Sequence, residues 1–250
     1  MCCFSRAVET VGETRIFARF TGEHRQAVVY QMRYKASEPL AMILPLPTSA
    51  HTGEDAVKFI NLEKYPAFFD DLKLGFPVPK PRATFGGDLS NGPIKSPKLV
   101  VHEVGSFVAS FVPKVTDFER LDERFRLPAS TWEKLPAYRD YGFAVFQLKP
   151  DSQKTHPMAF EFPTRPRAGV FFPTVHIHDG KVHDVAGFDH DLYLQLRDEM
   201  AKPPRGWSES DGPAAGFVKI DKTEKLVAGD LHCYRQQLRG KLRNQDTWVV

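Results

Sequence analysis

Four of the nine histidines lie in one stretch, Phe172 to Gln195: His176, His178, His183 and His190. Two cysteines, Cys2 and Cys3, open the chain. Neutral imidazole binds zinc, copper, iron and nickel, and thiolate favours softer ions. In a strand, residues i and i+2 point the same way. His176 and His178 are therefore expected to present two imidazoles on one face, the geometry of a His-x-His metal pair. Asp179-Gly180 is a hairpin signal. A returning strand over Lys181 to Val185 would bring His183 back beside them, and His190 would approach from the next element. The structural alternative is a set of hydrogen-bonded histidines on a hydrated rim.

Cys2 offers two chemistries. Removal of Met1 would leave a free amine beside a thiol. That pair can chelate a soft metal, with Cys3 or a histidine adding ligands. Alternatively, Cys2 can act as an N-terminal nucleophile with its own amine as base. Buried small thiols in a first strand are the structural alternative. Cys233 follows His232, and neighbours in a strand face opposite sides, so Cys233 reads as structural.

The elements that must position these groups are mostly strands. Thr14 to Phe20 alternates, with Ile16, Ala18 and Phe20 on one face. Val28 to Tyr34 alternates too, and the turn at Thr21 to His24 joins the two as a hairpin. Leu40 to Leu46 is a buried apolar run that leaves its sheet at Pro45 and Pro47. Gly53 to Ile60 and Pro66 to Leu74 read as short helices. Leu99 to Val112 is one bent strand, or two broken at Gly105. Thr116-x-x-Glu119 and Ser130-x-x-Glu133 are capping-box signatures for two further short helices. Gly142 to Leu148 and His156 to Phe162 are strands. Phe171 to His178 is a strand interrupted by Pro173. Asp189 to Met200 fits either a strand or a helix. Phe217 to Ala228 and Leu231 to Val250 read as terminal strands.

The totals fit this picture. Twenty prolines and 17 glycines imply many turns and short elements. With no internal repeat or linker, 1–250 is read as a single globular domain of α+β class. It is predominantly antiparallel β, in sandwich-like sheets with a few short helices. A Pro/Gly-rich loop or lid is expected at 76–97 and a second loop at 202–216. The net charge, 34 basic minus 31 acidic residues or +3, argues against nucleic acid. No apolar region follows the first residues and no window reaches a membrane span. Three cysteines cannot all pair within the chain, so a reduced cytoplasmic setting is expected.

Three resemblances bear on function. Gly169, His176, His178 and Gly187 resemble the first cupin motif, without its glutamate. Met1-Cys2 is similar to the opening of the N-terminal nucleophile hydrolases, without their usual Cys-Gly. The cysteine near the start, the strand Gln26 to Tyr34, Leu40 to Pro47 (LAMILPLP) and His156 to Pro163 (HPMAFEFP) resemble an uncharacterised family of bacterial proteins. That last resemblance implies a β-rich fold and supplies no reaction.

The reading that follows is a soluble transition-metal-binding protein, with enzymatic activity left open. His176 and His178 are the core ligands. His183, His190, Cys2 and Cys3 are additional candidates. Mixed Cys/His ligation favours zinc or copper, while histidines with Asp179 or Asp189 leave room for iron. The alternatives are a metal-free hydrolase using Cys2, and a non-catalytic binding domain using the 76–97 loop. The partner is then a small-molecule substrate or a metal ion, with neither nucleic acid nor membrane expected and no protein partner indicated.

Overall fold

Period-two alternation separates two faces on the central strands, and each face finds its own core. The structure, a computed structural model, describes residues 3–49, 52–76, 102–105, 107–165, 169–197 and 203–249. In chain order the strands are β1 (Cys3–Phe4), β2 (Thr10–Gly22), β3 (Arg25–Ala36), β4 (Leu40–Leu46) and β5 (Lys58–Asn61). After helix α1 (Phe68–Leu74) come β6 (His102–Val104) and β7 (Phe107–Val112). Helix α2 (Ala129–Glu133) precedes β8 (Gly142–Leu148), β9 (Asp151–Lys154), β10 (Met158–Pro163) and β11 (Val170–Phe172). The chain continues through β12 (Val185–Gln195), β13 (Ser208–Pro213), β14 (His232–Arg243) and β15 (Thr247–Val249).

A five-stranded sheet runs β1-β4-β8-β7-β6. An eight-stranded sheet runs β13-β14-β12-β2-β3-β10-β5, with β9 pairing with β3. Pairing between the named strands is antiparallel except where β12 lies parallel to β2. The α+β, mainly antiparallel fold expected from the sequence is what forms.

On the large sheet, Ile16, Ala18, Val28, Tyr30, Leu192 and Leu194 face the small sheet. Phe17, Val29, Tyr193 and Cys233 point the other way and pack on Phe68, Phe69 and Leu72 of α1. The small sheet is covered on both sides too. Phe146 meets Phe160 of the large sheet, with ring centroids 5.9 Å apart. Phe143 meets Trp132 of α2 at 4.7 Å on the outer side. Two covered faces explain why all seven positions of β4 are buried.

Several local expectations change. Gly53 to Ile60 does not form a helix; its end becomes β5, because Phe59 and Ile60 pair with Phe160 and Ala159 of β10. Thr116 lies inside a 3-10 segment, Val115–Arg120, with no side-chain cap. The cap in this region is Asp122, which accepts the Arg124 N–H. Within 202–216, β13 pairs with β14. Residues 217–228 hold a 3-10 turn, Ile220–Lys222, because Val218 and Leu226 pack under α1 rather than joining a ladder. Gly105 does break the β6–β7 connection, with φ +62°, a backbone region that favours glycine. Most of the expected 76–97 loop lies outside the described residues.

Candidate functional site

Three of the four clustered histidines come together, and not by the expected hairpin. On β12, Leu192 and Leu194 face the inter-sheet core, while Phe188 and His190, at the same alternation, pack against the ring of His176. His190 pairs with Thr14 of β2 and is fully buried. β11 ends at Phe172, before Pro173, which cannot donate to a ladder. Residues 173–178 then run outside any named strand, with one bridge, Cys3 to Ile177. There the Phe4 N–H donates to the Ile177 carbonyl at 2.9 Å, and the Val8 N–H to the His178 carbonyl at 3.2 Å.

His176 is the centre of the cluster. Its ring lies 5.2 Å from His178 at 19° and 5.1 Å from His190 at 21°. Phe188 closes one side at 4.2 Å, and Phe4 lies 5.6 Å from the His178 ring. Burial, above all, pushes His176 down to about 2 and His178 to about 4. His190 is driven lower still by the same cause. All three are therefore neutral at physiological pH and each carries one lone pair. The Asp189 N–H donates to His190 Nδ1 at 3.2 Å, which places that ring's proton on Nε2. Nε2 of His176, Nε2 of His178 and Oγ1 of Thr14 are buried with no hydrogen-bond partner among the described residues.

The remaining candidates separate. No returning strand forms over 181–184, and His183 turns outward to Asp179, with Nε2 3.0 Å from Oδ2. The Asp179-Gly180 turn opens into the long β12 hairpin arm instead, because Asn244 ties down the carbonyls of both His176 and His183. Cys3 does lie beside the histidine segment. It shares the face of its partner Ile177, so by alternation it points away from His176 and His178. Cys2 lies outside the described residues. Cys233 is buried in the second core, where burial raises its thiol to about 12. His232 Nδ1 meets the Ser210 carbonyl at 3.1 Å.

Among the described residues, no group of three or more His, Cys, Asp or Glu side chains is arranged to hold a metal ion. His176 and His178 therefore form a pair. Two imidazoles joined through Nε2 to one zinc-like ion hold their ring centres about 5 Å apart. The observed 5.2 Å fits that spacing. The two ring planes are 19° from parallel, and the histidine χ2 is a soft torsion through which each Nε2 can be re-aimed.

Sequence reasoning missed Thr14, Phe188, Asn244 and Asp246. Thr14 falls on the alternating face of Ile16 and Ala18, which was a usable signal. Asn244 and Asp246 act through side-chain bonds to distant backbone, which no local pattern reports. An open groove of about 630 Å³, lined by Leu74, Gly75, Pro213 and Phe217 among others, involves none of these histidines. No helix among the described residues is long and apolar enough to cross a membrane.

No family model matches the chain. No curated protein matches it. Among solved structures, the chain is similar to baculovirus P35, with 14% identity over 99% of each chain and a TM-score of 0.48. A mutated baculovirus P35 after caspase cleavage gives 12% identity, 96% and 97% coverage, and a TM-score of 0.45. P35 in the caspase-8/P35 complex gives 14% identity over 95% of each chain and a TM-score of 0.46.

Proposed function

We propose that the chain binds a transition-metal ion, copper or zinc, through His176 and His178. One observation carries this reading. Two neutral, enclosed imidazoles stand 5.2 Å apart, and their Nε2 atoms have no partner among the described residues. An orphaned buried polar atom costs about 1–3 kcal/mol, so two adjacent ones call for an occupant. The pair is uncharged and carries no carboxylate, which suits copper or zinc better than magnesium or calcium.

Elemental analysis of protein purified without chelators, then reconstituted with copper or zinc, tests the reading. About one ion per chain is expected. It should be lost in the His176→Ala/His178→Ala variant and kept in His183→Ala. A folded wild type that stays metal-free after reconstitution overturns the proposal.

A non-catalytic binding domain is a second reading, favoured by a different observation. Leu74 is 67% exposed at the edge of the open groove beside Phe217. Affinity capture from the source organism's extract, comparing wild type with Leu74→Glu, tests it. A partner lost only in the variant supports this reading, and equal capture rejects it.

A further inference from the structure

The segment that carries His176 and His178 has a single backbone bridge on one side. Where a second strand would stand, side chains from the link between β14 and β15 take the bonds. Asn244 Oδ1 accepts the His176 N–H at 2.7 Å, and Asn244 Nδ2 donates to the His176 carbonyl at 2.9 Å. That two-way exchange reproduces what an antiparallel partner residue supplies. The same amide donates to the His183 carbonyl at 2.9 Å. The Asn244 N–H donates to the Asp184 carbonyl at 2.8 Å.

Asp246 continues the grip. Its Oδ1 accepts the Thr174 and Val175 N–H groups at 2.8 and 3.1 Å. Its Oδ2 accepts the Tyr138 hydroxyl at 2.6 Å. The Thr174 hydroxyl donates to the Gln245 carbonyl at 2.9 Å. Three successive N–H groups, Thr174 to His176, are thus held by two side chains.

We propose that Asn244 and Asp246 are positioning residues of the histidine pair, and that they set the geometry with which His176 and His178 meet a metal ion. The inference rests on the metal reading above. Its chemistry is specific. Position 244 needs an acceptor and a donor on one planar group, which asparagine has and aspartate and leucine lack. Position 246 receives three donors, which suits an ionised carboxylate. With the backbone fixed, only the histidine χ angles remain to adjust. Partners hydrogen-bonded to a ligating side chain change metal affinity by roughly 10–100-fold; Asn244 and Asp246 act through the backbone that carries the ligands, and the lower end of that range is expected.

Copper titration of wild type, Asn244→Leu, Asn244→Asp and Asp246→Asn tests the proposal, with electron paramagnetic resonance of the Cu(II) forms. Asn244→Leu should weaken binding by at least ~10-fold and change the spectrum. Asn244→Asp, which keeps the acceptor, should fall between it and wild type. A folded Asn244→Leu with wild-type affinity and spectrum overturns the inference. If Asn244→Leu does not fold, Asp246→Asn is read by the same criteria.

A second arm needs no metal. Diethyl pyrocarbonate should modify His176 and His178 at least ~10-fold faster in the positioning variants than in wild type, since the segment freed from Asn244 and Asp246 opens locally and exposes nitrogens that are buried in wild type. If wild type binds no copper or zinc, the metal reading falls. Positioning then stands or falls on this arm, and unchanged reactivity in every folded variant of the three rejects it.

Discussion

Gln26 and Phe171 exchange two hydrogen bonds across the core. Gln26 Nε2 donates to the Phe171 carbonyl at 2.7 Å, and the Phe171 N–H donates to Gln26 Oε1 at 2.9 Å. Gln26 is fully buried and sits on β3, whereas Phe171 belongs to the short β11–β15 pair. One side chain therefore ties the small pair, and the chain leading to His176, onto the large sheet. Gln26→Leu keeps the volume but strands two buried backbone groups. A loss of roughly 2–5 kcal/mol is expected, read as a lower urea midpoint at unchanged slope. A midpoint within error of wild type would refute the assignment.

The same relationship shows what the sequence could and could not disclose. The alternation in Thr14 to Phe20 and Val28 to Tyr34 set the β2–β3 hairpin and both of its faces, because a strand's period is read locally. The i, i+2 spacing placed the His176 and His178 rings side by side. The spacing around His190 is ambiguous, since Leu192, Leu194 and Leu196 fit a strand while Leu192, Leu196 and Met200 fit a helix. Pairing with β2 and β14 decided for the strand. His183 was lost because the chain between Asp179 and Asp184 is held by Asn244, a contact 61 residues away in sequence. Such bonds depend on tertiary placement and leave no periodic trace.

Acid should destabilise the protein below about pH 6.5. Unfolded histidine takes a proton near 6.5. In the folded chain His178 holds off until about 4 and His176 until about 2, through burial. Between these limits the unfolded state binds more protons, so stability falls as pH falls. Asp246 works the other way. Burial raises its carboxyl to about 6, so its contribution is full below the ordinary carboxylate range and is lost as pH rises through 6. One carboxyl opposes the two histidines and His190, and the net slope is expected to approach about 1.4 kcal/mol per pH unit for each uncompensated proton. Urea midpoints of metal-free protein between pH 7 and 4.5 measure it. Parallel profiles for wild type and His176→Leu/His178→Leu would rule the histidines out as the cause.

The described thiols should be silent in the native state. Cys3 and Cys233 are both fully buried. The Cys233 thiol is pushed up to about 12 by burial, so almost no thiolate is present near neutrality. Iodoacetamide at pH 7.5 followed by peptide-resolved mass spectrometry should find neither residue modified until denaturant is added. Rapid native labelling of Cys233 would contradict its place beneath α1.

Gly142 opens β8 where the ring of Phe111, from β7, lies directly over its backbone. A Cβ there would overlap that ring and stand 2.9 Å from Thr48 Oγ1. Neither neighbour can yield cheaply. Phe111 is 2% exposed, and the Thr48 hydroxyl accepts the Gly142 N–H at 3.1 Å. Gly142→Ala is therefore expected to cost about 1–3 kcal/mol despite adding a single methyl group, because overpacking forces the ring off its rotamer. A double-mutant cycle isolates the cause. In a Phe111→Leu background the smaller side chain leaves room for the methyl, and the penalty for Gly142→Ala should shrink to below about 1 kcal/mol. An equal penalty in both backgrounds would place the cost in the backbone of β8 rather than in the contact with Phe111.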